Sequence, residues 1–230
     1  MKMNKGIKIL YIVTMCLLIG SIVFGILTKK SFTDNTIPLN LSKFKNASIS
    51  INDEENITDK YFNNDINNLK ELMNKSDLIV KGQISDVRKN YNQALKTKFK
   101  VNQIIKSDEK SKNITYIYVF EPSKFHFDNY VIVSGYNVMK ENEEYLLFLK
   151  HLDVPDGYKY KHDEAITFIP VSTYYGKYQL SGNAATQKIE IDKVEELKYS
   201  DIENHEIVTT NSEILQTFNY LKKEVSKTFK

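Results

Sequence analysis

The sequence contains no tryptophan and one cysteine, and that cysteine, Cys16, lies inside an N-terminal apolar run. Beyond that run no disulfide framework and no cysteine-based metal site can form. Arginine is as scarce: Arg88 is the only one among 32 basic residues. Arginine grips phosphate with two parallel hydrogen bonds, so a chain this poor in it lacks the usual tool for reading nucleic acid. The eight glycines build neither a G-x-G-x-x-G nor a G-x-x-x-x-G-K-[ST] phosphate loop, and no G-x-S-x-G nucleophile elbow surrounds a serine. The histidines are His126, His151, His162 and His205, with spacings of 25, 11 and 43 residues that fit no common metal motif. No cofactor and no metal site is expected.

What is present divides along the chain. Ile7 to Leu27 reads "IKILYIVTMCLLIGSIVFGIL", with no charge after Lys8. The apolar stretch 9–27 is close to the ~20 residues a helix needs to cross a bilayer. A secretory apolar region is shorter and ends at a small-residue cleavage site, whereas this one ends "VFGILTKK". An uncleaved anchor is therefore expected over residues 1–30, with a cleaved signal or a lipoprotein modified at Cys16 as the alternatives. Lys2, Lys5 and Lys8 precede the run and Lys29 and Lys30 follow it, so the charge rule for orientation gives only a small bias. The very short leading tail favours a translocated C-terminal body outside the cytoplasm. Those five lysines leave 27 basic against 29 acidic residues, so the formal +3 of the whole chain becomes −2 for the rest. A near-neutral body of this kind is a poor electrostatic partner for nucleic acid. The Lys-, Asn- and Ile-heavy usage points to an AT-rich bacterial genome.

Residues 31–65 are polar and weakly periodic, and read as a spacer, with an edge strand near Ile49 and Ile51 as an option. From residue 66 the pattern sharpens. Ile66, Leu69, Leu72 and Met73 are spaced as on a short helix, capped by Asn64 or Asp65. At Asp77 the period changes, and Leu78 to Val87 reads as a strand. "LKTKFKVNQIIK" alternates Leu95, Thr97, Phe99 and Val101 with lysines, as a half-buried strand does. Ile104 and Ile105 break that alternation and predict a bulge. "ITYIYVFEP", "YVIVSGYNVM", "YLLFLKHL", "AITFIPVS", "TYYGKYQLSG" and "QKIEIDKV" complete a series of short strands. The end is a helix, with Thr210 and Glu213 as a capping box and Ile214, Phe218, Leu221 and Val225 as one apolar stripe.

The succession "LKELMNKSDLIVKGQI", "KTKFKVNQIIK" and "EEYLLFLK" resembles a module of bacterial secreted and surface proteins. That module is similar in outline to the netrin-like domain of tissue inhibitors of metalloproteinases. The resemblance covers Asn67 to Val171. It implies a mainly β fold, an OB-type antiparallel barrel with a short N-terminal helix covering its open end. Gly82 would let the first strand coil. Those inhibitors chelate a protease zinc through an N-terminal cysteine. No cysteine follows Cys16, so protease inhibition carries over to no residue. The implied organisation is an anchor over 1–30, a spacer over 31–65, a β-barrel domain over 66–205 and a C-terminal amphipathic helix over 206–230.

Fifteen tyrosines and twelve phenylalanines supply the candidate site. "KFHFDNY" and "STYYGKY" put Phe125, Phe127, Tyr130, Tyr174, Tyr175 and Tyr178 near loop ends, where aromatic faces can stack on a ligand. "HLD" and "HDE" place carboxylates beside His151 and His162, a pattern open either to acid–base or metal chemistry or to polar strand ends. The expected function is non-enzymatic binding by a single-pass membrane protein at the bacterial cell surface. Residues 9–27 would contact the membrane, and the ligand would be a protein, peptide or glycan. The alternatives are a metal-assisted hydrolase using His151 and His162, or a structural or immunity-type membrane protein.

Overall fold

A computed structural model describes residues 5–32, 39–52, 55–91, 94–108, 111–180 and 196–229. Two compact units divide it, Met1–Ile37 and Pro38–Lys230.

The first unit holds helix α1, Lys5–Phe32. Its segment Lys5–Thr28 is long and apolar enough to cross a membrane. At 1.5 Å per residue that segment is ~36 Å long, against a hydrocarbon core of about 30 Å. The hydroxyls of Thr14, Ser21 and Thr28 donate to carbonyls three or four residues back. The helix thus satisfies its own polar side chains.

Strand and helix each take up 34% of the chain, so the fold is mixed and sheet-rich, with more helix than a mainly β chain. In the second unit a 3-10 turn, Leu41–Phe44, precedes strand β1, Ser48–Asn52. Helices α2, Glu55–Tyr61, and α3, Leu69–Asn74, follow. The long strands β2, Leu78–Tyr91, and β3, Ala94–Lys106, form an antiparallel hairpin. Next come β4, Tyr116–Glu121, β5, Ser123–His126, and β6, Asn129–Val133. The chain finishes with β7, Glu144–His151, β8, Thr167–Pro170, β9, Lys177–Gln179, and helices α4, Tyr199–Ile202, and α5, Ser212–Thr228. The expected strand "QKIEIDKV" lies outside the described residues.

The pairings in the larger sheet run β2–β3–β4–β8–β7–β9, and β2 also pairs with β7. All are antiparallel except β4 with β8, so the expected all-antiparallel order is corrected there. A second sheet, β1–β6–β5, was not anticipated as a separate layer. Its β1 lies within the stretch read as spacer and runs parallel to β6, with Ile49 opposite Tyr130. Ala47 and Ile49 are buried, which is the physical reason this polar-looking segment joins the folded body.

Three apolar clusters follow from the alternation of side chains along strands. Leu78, Val80, Phe99, Val119, Leu147, Leu149 and Phe168 form one. Ile79, Leu146 and Phe148 point the other way and meet Leu72 together with Phe218, Leu221 and Val225 of α5. Ala47, Ile49, Leu95, Phe125, Tyr130, Ile132 and Tyr199 form the third, under the small sheet. Helix α3 was expected to cover the open end of the barrel, yet Leu72 lies in a different cluster from Leu78 and Val80. The helix packs with α5 against the opposite face of β2 and β7, because Ile79 rather than its neighbours points toward Leu72.

Local details refine the sequence reading. Asn68, not Asn64 or Asp65, caps α3, its Oδ1 accepting the Glu71 N–H at 2.9 Å. Asn211, not Thr210, caps α5, accepting the Glu213 N–H at 2.8 Å. The register shift between Ile79 and Val80 leaves Ile105 as the extra residue of β3, the bulge expected at Ile104–Ile105. At Gly82 an added Cβ would sit 2.0 Å from the Lys100 carbonyl oxygen, so only glycine fits where the hairpin strands close on each other.

One buried cation carries a pH signature. Lys177 Nζ donates to the Glu206 carbonyl at 3.1 Å and lies 4.9 Å from the centre of the Tyr136 ring. Burial pushes this lysine down to about 8, against the pull of Glu206 and Glu121.

Two stability predictions follow from this packing. Leu72→Ala should cost about 2–5 kcal/mol, as a fully buried leucine does, read from the urea midpoint of the full chain in micelles. A midpoint equal to that of the parent would remove α3 from the core. For Lys177, the unfolded chain titrates near 10.4 and the folded one near 8. Between those values the unfolded state holds more protons, so stability should rise with pH. Burial raises the hydroxyls of Tyr130, Tyr145 and Tyr199 above their ordinary value, so stability should fall again above about pH 10. Urea midpoints measured across this range should therefore peak, and Lys177→Met should flatten the rising limb.

Candidate functional site

The six aromatics read from the sequence do not meet on one surface. Phe125 and Tyr130 stack at 4.4 Å, and Tyr199 meets both rings edge-on at 5.0 Å, all within the third cluster. Tyr175 and Tyr178 are buried beneath α5, where Tyr178 stacks on Phe218 at 5.3 Å. Tyr174 is half-buried. Phe127 alone is freely exposed, at 82%, on the β5–β6 turn with φ of 49°.

A different set of aromatics lines a groove of about 620 Å³, inside the range of about 300–1,000 Å³ typical of ligand pockets. One wall is the tip of the β2–β3 hairpin, with Tyr91 and Ala94. The other is the connection from β7 to β8, with Leu152, Val154, Pro155, Tyr158 and Tyr160. Phe120 and Pro122 at the end of β4, Val133 of β6, Ile169 of β8, and Tyr61 and Phe62 at the end of α2 add to the lining, with Asp153 and Glu164 as its acidic members.

The walls are held from behind. Tyr91 stacks on Phe120 at 5.2 Å. Tyr158 donates its hydroxyl to Glu164 Oε2 at 2.8 Å, and the Lys161 N–H donates to the same oxygen at 2.7 Å. The Lys161 N–H first, and then Tyr158, keep the Glu164 carboxyl below the usual carboxylate range. Tyr160 donates to the Leu152 carbonyl at 3.1 Å. Its ring stacks on His151, which leans on Phe168 at 4.6 Å. His151 Nε2 lies 3.3 Å from Asp108 Oδ2, and its backbone N–H donates to Asp77 at 2.8 Å. Burial works to raise Asp108, but hydrogen bonds from Ser111 and His151 outweigh it and hold the carboxyl below its ordinary value.

The tyrosine hydroxyls of the β7–β8 wall and Glu164 therefore already have partners within the protein. What the groove offers a ligand is mainly carbon and aromatic faces, chemistry suited to an apolar body. His151 stands behind this wall, whereas His162 is exposed, with φ of 51°. Among the described residues no three histidine, cysteine, aspartate or glutamate side chains gather as a metal set. His205 is half-buried, its pKa lowered by burial.

The groove's own aromatics were missed in the sequence, although "DVPDGYKYKHDE" carried a signal. A connection this long between two short strands, with Pro, Gly and two spaced tyrosines, is the kind that serves binding.

No protein-family model, curated protein or solved structure matches the chain.

Proposed function

We propose that this chain is a single-pass membrane protein of the bacterial surface, whose extracytoplasmic domain is an OB-type, netrin-like barrel that binds an apolar ligand without catalysis. The barrel reading is supported by the pairings. Within the set β2, β3, β4, β8 and β7 each strand pairs with two others, β7 pairing with β9 besides, and the β2–β7 pairing returns the order to its start. The one parallel pairing, β4 with β8, joins the third and fifth barrel strands in chain order, as in a five-stranded Greek-key barrel of the OB type. The anchor reading is supported by the length and apolarity of Lys5–Thr28.

The observation that carries the function is the position of the groove. It lies between the connection of the first and second barrel strands and that of the fourth and fifth, where OB-type barrels hold their ligands. The apolar lining favours a peptide segment bearing aromatic or aliphatic side chains. Affinity would come from burying those side chains against Tyr91, Phe120 and Tyr158 at roughly 25 cal/mol per Å² of apolar surface.

Two measurements test this reading. The full chain in micelles, screened against peptides rich in Phe and Leu, should bind a subset. Val154→Asp, at a partly exposed groove position, should weaken that binding about tenfold or more, since it sets a charge against the ligand's apolar side chains. Binding indifferent to Val154→Asp would place the ligand elsewhere. For topology, protease added to intact protoplasts should digest the domain and leave a small membrane stub. A domain protected until lysis would reverse the orientation.

A further inference from the structure

A second groove, of about 380 Å³, has the opposite chemistry. It is bordered by Asp59 of α2, Asn64, Ser134 in the turn after β6, Tyr174, and Thr210 and Asn211 at the start of α5. The two asparagines are oriented by their own hydrogen bonds. Asn64 Oδ1 accepts from the hydroxyls of Ser172 and Thr173 at 2.8 and 3.0 Å and from the Thr173 N–H at 3.0 Å. Asn211 Oδ1 accepts from the N–H groups of Glu213 and Ile214 at 2.8 and 3.4 Å. Each oxygen is thereby committed, and each NH₂ remains a donor. Among the described residues, the carboxylate of Asp59 and the hydroxyls of Ser134 and Thr210 have no hydrogen-bond partner.

The aromatic element is fixed as well. At Gly135, with φ of 73°, an added Cβ would lie 2.5 Å from Tyr174 Cε1 and 2.8 Å from the Val208 carbonyl oxygen. Only glycine leaves room for the tyrosine ring at this turn. Tyr174 also packs against the cluster beneath α5, so its ring is a seated wall.

The ligand class follows by elimination. The Asp59 carboxylate repels an anion, although the asparagine donors and the start of α5 would suit one. The amide donors that Asn64 and Asn211 bring to the groove oppose an organic cation. The hydroxyls, amides and carboxylate disfavour an apolar chain, which would strip their water without replacing its hydrogen bonds. A polyhydroxylated ring meets all of them. Its hydroxyls donate to the carboxylate and accept from the amides, while its C–H face lies on an aromatic ring. From this geometry we propose that the groove is a saccharide-binding site, separate from the apolar groove and independent of the function assigned to it.

The test uses the full chain in a sugar-free detergent, with methyl glucoside, methyl galactoside and N-acetylglucosamine as probes and saturation-transfer NMR as readout. At least one probe should receive saturation, and inorganic phosphate should not displace it. Asp59→Asn should weaken it about tenfold or more, because a charged acceptor is lost. Tyr174→Ala should abolish it. Should Tyr174→Ala fail to fold, the exposed Asp59 decides alone. Val154→Asp in the apolar groove should leave the sugar signal unchanged. Silence from all three sugars, competition by phosphate, or an unaltered Asp59→Asn would overturn the proposal. Loss of the signal in Val154→Asp would also overturn it, assigning the sugar to the other groove.

Discussion

The one arginine of the sequence is buried at 3% exposure, against a glutamate at 0%. Arg88 Nε and Nη2 reach Glu121 Oε1 at 3.2 and 3.1 Å, and Nη2 also donates to the Met139 carbonyl at 2.6 Å. Thr97 donates its hydroxyl to the same carboxylate, and the Met139 N–H meets the other oxygen at 2.7 Å. β2, β3, β4 and the strand-free segment after β6 are thus fastened at one point. Neither charge has water to fall back on. Losing one partner would leave the other uncompensated, a cost of about 3–5 kcal/mol in proteins. A lysine would not replace the arginine, because the planar fork serves the carboxylate and a carbonyl together. Val138 belongs to the cluster under the small sheet and Met139 to the one between the long strands, so the pair also locks two apolar cores together. Three residues beyond Arg88, Tyr91 enters the wall of the apolar groove.

Much of the larger sheet was legible because its signals are local. The alternation around Leu95 to Val101, the double isoleucine at 104–105 and the apolar run of β7 each state their strand directly. So does the stripe Phe218, Leu221 and Val225, which the structure buries. The caps were off by one to four residues, since several neighbouring Asn, Asp and Thr side chains can compete for the same first-turn donors.

The small sheet was illegible for a physical reason. β1 is five residues long and carries Ser48, Ser50 and Asn52 on its alternate positions, so on its own it reads as polar chain. What makes it a strand is Tyr130 and its neighbours, about eighty residues later, and no local pattern encodes a pairing at that distance. The same gap misplaced the aromatic site. Without the small sheet, Phe125 and Tyr130 look like exposed loop residues. With it, they are the centre of a cluster. Nor does the sequence around Arg88 announce its burial, which depends on a partner 33 residues away.

The borrowed strand also decides where this domain can be cut. Regular periodicity begins near residue 66, which invites truncation there. Yet β6 has β1 on one side and β5 on the other. A fragment starting at 66 would present the backbone of β6 as an open edge, with Tyr130 and Ile132 beside it. Such an edge is a template onto which another chain can add. A self-contained folded body therefore has to keep β1, Ser48–Asn52, within the compact unit that begins at Pro38, whereas a chain cut just beyond that strand would carry a template for aggregation.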